Sequence, residues 1–294
     1  MTSMLGQGLT SVWLEVTGRC QLSCTHCYAS SGPTGTHGTM TAADWTRVVD
    51  EAAVMGARLV QLIGGEPTLH PGLSMLVGHG VARGLAVEVC TNLVRVPEDL
   101  WATFALPGVS LATSYYSAVP EVHDRITGRR SHRRTRAGIA EAVRRGIPIR
   151  VGVVEVEENQ RVHDAVAELR ALGVDEVRVD RLRQVGRGVR DRRPEVDQLC
   201  GRCADGVLAI TPSGDVVPCV FARWLVLGNV HTTVLGEIAT RSEPARMELR
   251  ARLSAARADK CLPKTYGPQC IPSFEKPRCD PDRGDGCDPR NKPQ

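Results

Sequence analysis

The run Val12-Trp13-Leu14-Glu15-Val16-Thr17, followed by Gly18-Arg19 and then Cys20-Gln21-Leu22-Ser23-Cys24-Thr25-His26-Cys27, decides how this chain is read. Its first part is short and bounded by a turn residue, which is strand texture. It delivers three cysteines, spaced C-x3-C-x2-C, into a polar loop at the strand's C-terminal end. Strand-like runs recur at Arg58–Ile63, Ala86–Cys90, Val109–Thr113, Pro148–Val154 and Glu176–Val179. Amphipathic stretches separate them. In Thr41–Met55 the apolar Trp45, Val48, Val49, Ala52 and Ala53 repeat at helical spacing, Thr41 can cap, and Asp44 sits in the favourable first turn. Pro71–Val81, Thr135–Arg145 and Val162–Leu172 read the same way, with Gly84, Gly146 and Gly173 as stops.

Alternating strands and helices predict an α/β fold with a parallel sheet and helices outside it. Six units fall short of the eight that close a full barrel. The expected fold is therefore a partial (β/α)6 TIM-like barrel with its site at the C-terminal ends of the strands. A doubly wound open sheet is the alternative. The texture changes near Arg181, so the expected domains are 1–182 and a Cys-rich extension over 183–294. There, Gly206–Thr211 and Asp215–Pro218 form a strand pair about Pro212-Ser213-Gly214, and a helix broken by Pro244 covers Thr233–Ala258.

The 294 residues are 42% hydrophobic and 24% charged, an ordinary globular composition. A net charge of +4 implies neither a nucleic-acid nor a membrane partner. No apolar stretch approaches the ~18–20 residues of a membrane span. Met1–Thr10 lacks the basic and apolar regions of a signal peptide, so the cytoplasm is expected. Eleven cysteines in a reducing compartment point to metal rather than disulfides.

Three close thiolates without a fourth suit a [4Fe–4S] cluster held at three corners, with one iron left open; ordinary clusters take four cysteines. A zinc ion with His26 or His37 as fourth ligand is the alternative. The second strand ends in Gly64-Gly65-Glu66-Pro67. Paired glycines admit close approach to the backbone, and a carboxylate beside them can grip an ammonium group.

Taken together, Cys20–Tyr28 and Gly64–Pro67 resemble the radical SAM superfamily over roughly residues 11–180. The resemblance implies that Cys20, Cys24 and Cys27 hold a [4Fe–4S] cluster whose open iron is chelated by S-adenosylmethionine. One electron then cleaves the sulfonium, and a 5′-deoxyadenosyl radical abstracts a substrate hydrogen. By position it places Glu66 at the methionine ammonium, Gly64 and Gly65 beside it as cofactor-binding residues, and His26 against the adenine. It also places Asn92, Ser114 and Asn159 at further cofactor contacts. Leu93 stands where the family often has glycine after Thr91-Asn92. No catalytic acid or base is implied.

Cys203 and Cys219 flank the predicted strand pair, whose turn would bring the two thiols together. This resembles the SPASM or twitch extension, which carries auxiliary clusters. The dense cysteine run usual there is replaced by Cys261, Cys270, Cys279 and Cys287, spaced nine, nine and eight apart. With Cys200 these cysteines can complete one auxiliary [4Fe–4S] cluster and leave three for a second; a structural zinc in the tail is the alternative. The tail from Cys261 holds seven Pro and three Gly and cannot build an apolar core, so metal is its expected staple. Cys90 reads as a small buried hydrophobe. The Arg129–Arg136 and Arg181–Arg193 runs read as solvated faces, with phosphate or an acidic peptide as the functional option, since no aromatics interleave them.

The expected function is modification of a ribosomally made peptide. Alternatives are a dehydrogenase or epimerase of a small sugar or cyclitol, an RNA-modifying enzyme, and a zinc-stabilised binding module. The expected partners are a peptide or small-molecule substrate and an electron donor such as flavodoxin or ferredoxin. The first strand starts by about residue 11, so any leader-peptide recognition is expected from the barrel, the tail or a separate protein.

Overall fold

The computed structural model describes residues 8–158, 160–190, 195–199, 203 and 205–260. Asn159, Cys200, Cys261, Cys270, Cys279 and Cys287 lie outside the described residues. Six parallel strands come first: β1 (Ser11–Thr17), β2 (Leu59–Gly64), β3 (Ala86–Cys90), β4 (Val109–Tyr115), β5 (Ile149–Glu155) and β6 (Glu176–Arg181). Between them run α1 (Ala42–Val54), α2 (Leu73–Ala82), α3 (Glu98–Phe104), α4 (Pro120–Thr127), α5 (His132–Arg144) and α6 (Val162–Ala171). Then come β7 (Val207–Ile210), β8 (Asp215–Val217), β9 (Gly228–Asn229), α7 (Leu235–Arg241) and α8 (Glu243–Lys260).

The sheet order is β6-β5-β4-β3-β2-β1-β7-β8-β9. The first six strands follow one another in a single direction. A doubly wound sheet would reverse at a switch point, so the architecture is the partial barrel. Alternation along β1 divides the packing. Val12, Leu14 and Val16 are buried against the helix layer, while Trp13 packs from the opposite face with Ala209 and Val217.

The start of α1 forms as its sequence dictates. The Thr41 side chain accepts from the Asp44 N–H, and the Asp44 carboxylate accepts from the Thr41 N–H. Gly84, Gly146 and Gly173 all have positive φ, as expected of helix stops. The predicted helix at 233–258 is two helices. They part at Ser242, and Pro244 falls in the first turn of α8, where its missing N–H costs nothing.

Three features differ from the sequence reading. Helices α3 and α4 were not foreseen, being only seven and eight residues long. Helix α5 starts at His132 rather than Thr135 because Asp124 accepts from the N–H groups of Ser131 and His132, capping it from the preceding helix. Strand β7 pairs parallel with β1, so the sheet and the main core run across the expected boundary at 182/183. A buried ion pair, Glu15 to Arg223 at 2.5 Å, ties β1 to the segment after β8. Among the described residues no helix is long and apolar enough to cross a membrane.

Candidate functional site

The cysteine loop leaves β1 and is fastened to the rest of the molecule by its backbone. The N–H groups of Ser23 and Thr25 donate to the carbonyls of Thr127 and Ile126, each at 3.0 Å, at the end of α4. Gly128, with φ +69°, allows that approach; a Cβ there would lie 2.7 Å from the Ser23 carbonyl oxygen. On the other side Arg187 donates from its main chain to Cys27 O and from its guanidinium to Cys24 O and Ser31 O. Backbone and guanidinium hydrogen bonds thus fasten the loop from both sides.

Cys20 is buried and Cys24 and Cys27 are half-buried. The Cys20 sulfur accepts from the Leu22 N–H at 3.4 Å and stands 3.7 Å from the Asn92 side-chain nitrogen. Burial pushes the Cys20 thiol up to about 11. Burial and then its two cysteine neighbours push Cys24 up to about 12. Such thiols stay protonated at neutral pH unless a metal replaces the proton. A soft cation that takes thiolates is what this donor set fits. Among the described residues no three His, Cys, Asp or Glu side chains gather around one point as a single-ion site. His37 bonds Thr17 at 2.9 Å and stacks edge-on against His70.

The Gly64–Pro67 turn sits beside this loop. Gly64 has φ +144°, and a Cβ on Gly64 or Gly65 would lie within 2.4 Å of the Thr17 or Arg19 carbonyl oxygen. What approaches the paired glycines is the chain's own path out of β1. Gly65 and Glu66 donate from their N–H groups to Thr17 O and Arg19 O. Glu66 is fully buried. Its Oε1 accepts from the Thr68 N–H and from the hydroxyls of Thr68 and Thr91, and its Oε2 accepts from the Asn92 N–H. Burial raises its carboxyl while these donors pull it back. Glu66 is thus a knot joining the ends of β2 and β3, with Oε2 the less occupied oxygen.

Asn92 pairs its amide with that of Gln21, next to Cys20. Leu93 adopts φ +55°, a conformation that costs a branched residue about 1 kcal/mol or more and that glycine accepts freely. The backbone there keeps the shape that the family's glycine implies.

His26 turns edge-on to Tyr116, its Nε2 3.1 Å from the phenol oxygen. Burial, then Arg187 and Arg190, lower it to about 4, so the ring is neutral at pH 7. Its Nδ1 is buried without a hydrogen-bond partner among the described residues, a polar atom that a bound group would satisfy. Burial holds the Tyr116 hydroxyl well above its ordinary value, and Ser114, exposed at the end of β4, exerts a smaller opposing pull on it. A recess of about 480 Å³, lined by Arg19, Cys20, Gln21, Pro33, Leu69 and Arg129, opens beside the first cysteine. That is a small-molecule volume.

Cys203 and Cys219 are buried with their sulfurs 2.7 Å apart, brought together by the β7–β8 hairpin as the spacing predicts. Cys90, expected to be buried, is partly buried: it packs beside Ile63, Ala209, Val217 and Val220, with its thiol 3.9 Å from the Glu88 carboxylate. The Arg181–Arg193 run is not simply a solvated face: Arg183 is buried, and Arg187 grips the cysteine loop. Sequence reasoning missed Arg187, Gln21, Thr68 and Tyr116. Each acts across more than one element, so no local periodicity marks it.

A sequence profile of the radical SAM superfamily matches residues 14–169, and one of the iron–sulfur cluster-binding SPASM domain matches residues 200–270. The PqqA peptide cyclase of Xanthomonas campestris pv. campestris is 30% identical over 225 residues, covering 72% of this chain and 60% of that protein. The mycofactocin maturase MftC of Mycobacterium tuberculosis is 31% identical over 189 residues, covering 63% of this chain and 48% of that protein. Among solved structures, SuiB of Streptococcus suis bound to its precursor peptide SuiA superposes with a TM-score of 0.70 at 14% identity. The match covers 82% of this chain and 66% of SuiB. The chain thus spans 60% or less of the length of these two relatives.

Proposed function

The chain belongs to the radical SAM superfamily, and from that premise we propose that it modifies a ribosomally made peptide by hydrogen abstraction. Cys20, Cys24 and Cys27 would hold the [4Fe–4S] cluster; with S-adenosylmethionine bound, that group supplies one-electron cleavage and a radical able to take hydrogen from carbon. The protein's own work is positional. Glu66 fixes the main chain of the β2 and β3 ends and offers Oε2 to an ammonium group. Gly64 and Gly65 let that turn lie against the cysteine loop. Asn92 orients Cys20 through Gln21. His26 presents a neutral ring with one unsatisfied nitrogen, and Ser114 steadies Tyr116 beneath it. Asn159 is proposed as a further cofactor contact.

The observation that carries this reading is the cysteine loop, with Cys20, Cys24 and Cys27 in C-x3-C-x2-C spacing at the end of β1, set against the Glu66 knot at the ends of β2 and β3. The peptide class is supported by the relative named as a PqqA peptide cyclase and by the likeness to SuiB, seen bound to a precursor peptide. Residues 183–294 are proposed as the auxiliary unit, with one or two further [4Fe–4S] clusters on Cys200, Cys203, Cys219, Cys261, Cys270, Cys279 and Cys287. An external donor such as flavodoxin or ferredoxin would supply the electron in the cytoplasm, and recognition of a leader peptide would fall to the barrel, the tail or a separate protein.

Anaerobically purified protein, reduced with dithionite in the presence of S-adenosylmethionine, should release 5′-deoxyadenosine. With a short precursor peptide, sought among the products of neighbouring genes, it should also change that peptide's mass. No 5′-deoxyadenosine would overturn the radical reading. 5′-Deoxyadenosine with an unchanged peptide would overturn the substrate class alone.

A further inference from the structure

Residues 183–190 leave the barrel after β6 and form a strap tied at both ends. At the far end the Gln184 N–H donates to the Gln198 side chain at 3.1 Å, and buried Arg183 donates to Leu199 O at 3.3 Å. Leu199 belongs to the small core that contains Cys203 and Cys219. At the near end lies the grip on the cysteine loop. The Arg187 N–H meets Cys27 O at 3.0 Å, its Nε meets Cys24 O at 2.9 Å, and its terminal nitrogen meets Ser31 O at 2.6 Å.

Resting on the cluster assignment above, we infer that Arg187 is a positioning residue for the cysteine triad, fixing the backbone of two consecutive ligands from a strap anchored to the second cysteine unit. A guanidinium is planar and presents its donors in a rigid fork, so it sets the position of the Cys24 carbonyl relative to that of Ser31, while the Arg187 main-chain N–H holds the Cys27 carbonyl. The carbonyls of Cys24 and Cys27 belong to the ligand residues themselves, and holding them orients the Cα–Cβ bonds that aim the thiols. The strap is built for this approach. Gly186 has φ +57°, and a Cβ there would lie 2.4 Å from Cys27 O and 2.3 Å from Tyr28 O. Any other residue would lift the strap off the loop. Gly188 serves the strap's own turn, since a Cβ there would lie 2.7 Å from Arg183 O. Arg187 makes no ion pair among the described residues, and its guanidinium hydrogen bonds go to carbonyls of this loop.

Arg187→Met, Arg187→Lys and Gly186→Ala test the inference in the full-length protein. In the metal-free chain, amide exchange over residues 23–29 should quicken about tenfold in Arg187→Met and in Gly186→Ala, with the global unfolding midpoint unmoved. In the reconstituted protein the triad cluster should be lost to a chelator several times faster, and the electron paramagnetic resonance of its reduced state should broaden. Arg187→Lys keeps the charge but not the fork; it should keep the fast exchange and the broadened signal. Wild-type exchange and wild-type resonance in Arg187→Met would overturn the inference, as would full rescue by lysine, which would reduce Arg187 to a point charge. If Arg187→Met fails to fold, unchanged exchange in Gly186→Ala is the overturning result. Because exchange is read without metal, failure of the radical reading leaves this test standing.

Discussion

The two cysteine regions of this molecule are made in opposite ways. Cys20, Cys24 and Cys27 lie within eight residues on one βα loop. Hydrogen bonds from α4, from the β3 end and from the strap hold that loop. Cys203 and Cys219 meet through a hairpin, but the other cysteines assigned with them are scattered as far as Cys287. Hydrogen bonds from the barrel and the strap hold the first region; the second is expected to draw on metal binding, because the sequence from Cys261 holds seven Pro and three Gly. Ligands close in sequence can be shaped before metal arrives, whereas ligands far apart are gathered by it.

The largest effect expected from this contrast is on the triad itself. Replacing Cys20, Cys24 and Cys27 together with Ala should remove about four irons, since one cubane depends on all three thiolates. It should abolish 5′-deoxyadenosine formation. The fold should persist, because the core between sheet and helices includes none of the three. Circular dichroism and iron analysis read both halves; unfolding of the triple variant would show that the loop is not shaped independently of metal.

Truncation before Cys261 makes the converse demand. The sheet and its core close within residues 8–260. The shortened protein should therefore keep the triad's iron and cleave S-adenosylmethionine, while losing auxiliary iron and peptide modification. Full turnover by the truncated enzyme would make the tail dispensable and erase the contrast. Loss of both sets of iron would mean that the two regions assemble as one.

The contrast also explains what the sequence disclosed. All six barrel strands and the hairpin were legible because each carries its own apolar run between turn residues, as Ala86–Cys90 does. The triad and Gly64–Pro67 were legible because their spacing is local. The short α4 has only two apolar residues, Val122 and Ile126, so it escaped reading although its end fastens the cysteine loop. The β1–β7 pairing joins segments that no periodicity links. Arg187 sits in an arginine run whose composition suggests solvent, and its role depends on where Gly186 lets the strap pass. Glu66 was read as open to a ligand; that it also knots two strand ends is a fact of three-dimensional contact.

Glu66→Gln sharpens that last point. An amide can accept on one side only, so its NH2 must face either the Asn92 N–H or the hydroxyls of Thr68 and Thr91, which all donate to the carboxylate. Hydrogen bonds to a charged group contribute about 1.5–3 kcal/mol. The affinity for S-adenosylmethionine should fall roughly ten- to a hundredfold on that basis, with the triad's iron retained. Calorimetry on the reconstituted protein checks this. Unaltered binding would leave Glu66 as a strand-end knot and nothing more.

The smallest expected effect concerns the scaffold beneath the triad. His123, on α4, is 1% exposed and packs among the rings of Tyr115, Tyr116 and His132. Tyr116 in turn meets His26 in the cysteine loop. Burial first, then His132, lowers His123 to about 4, against the opposite pull of Asp124 and Glu168. A base whose pKa falls on folding binds its proton more readily when unfolded. Its contribution is therefore complete above the unfolded value, near 6.5, and is lost as pH falls toward 4. Between pH 7 and pH 5.5 the metal-free chain should lose about 1 kcal/mol from this residue. His123→Phe keeps a ring in the cluster and removes the proton. Denaturant titrations of the metal-free protein at both pH values should show a shallower decline in the variant. Equal declines would mean that the proton is taken up elsewhere. A difference confined to the barrel would show that acid loosens the first region through its packing, while the second region answers to metal.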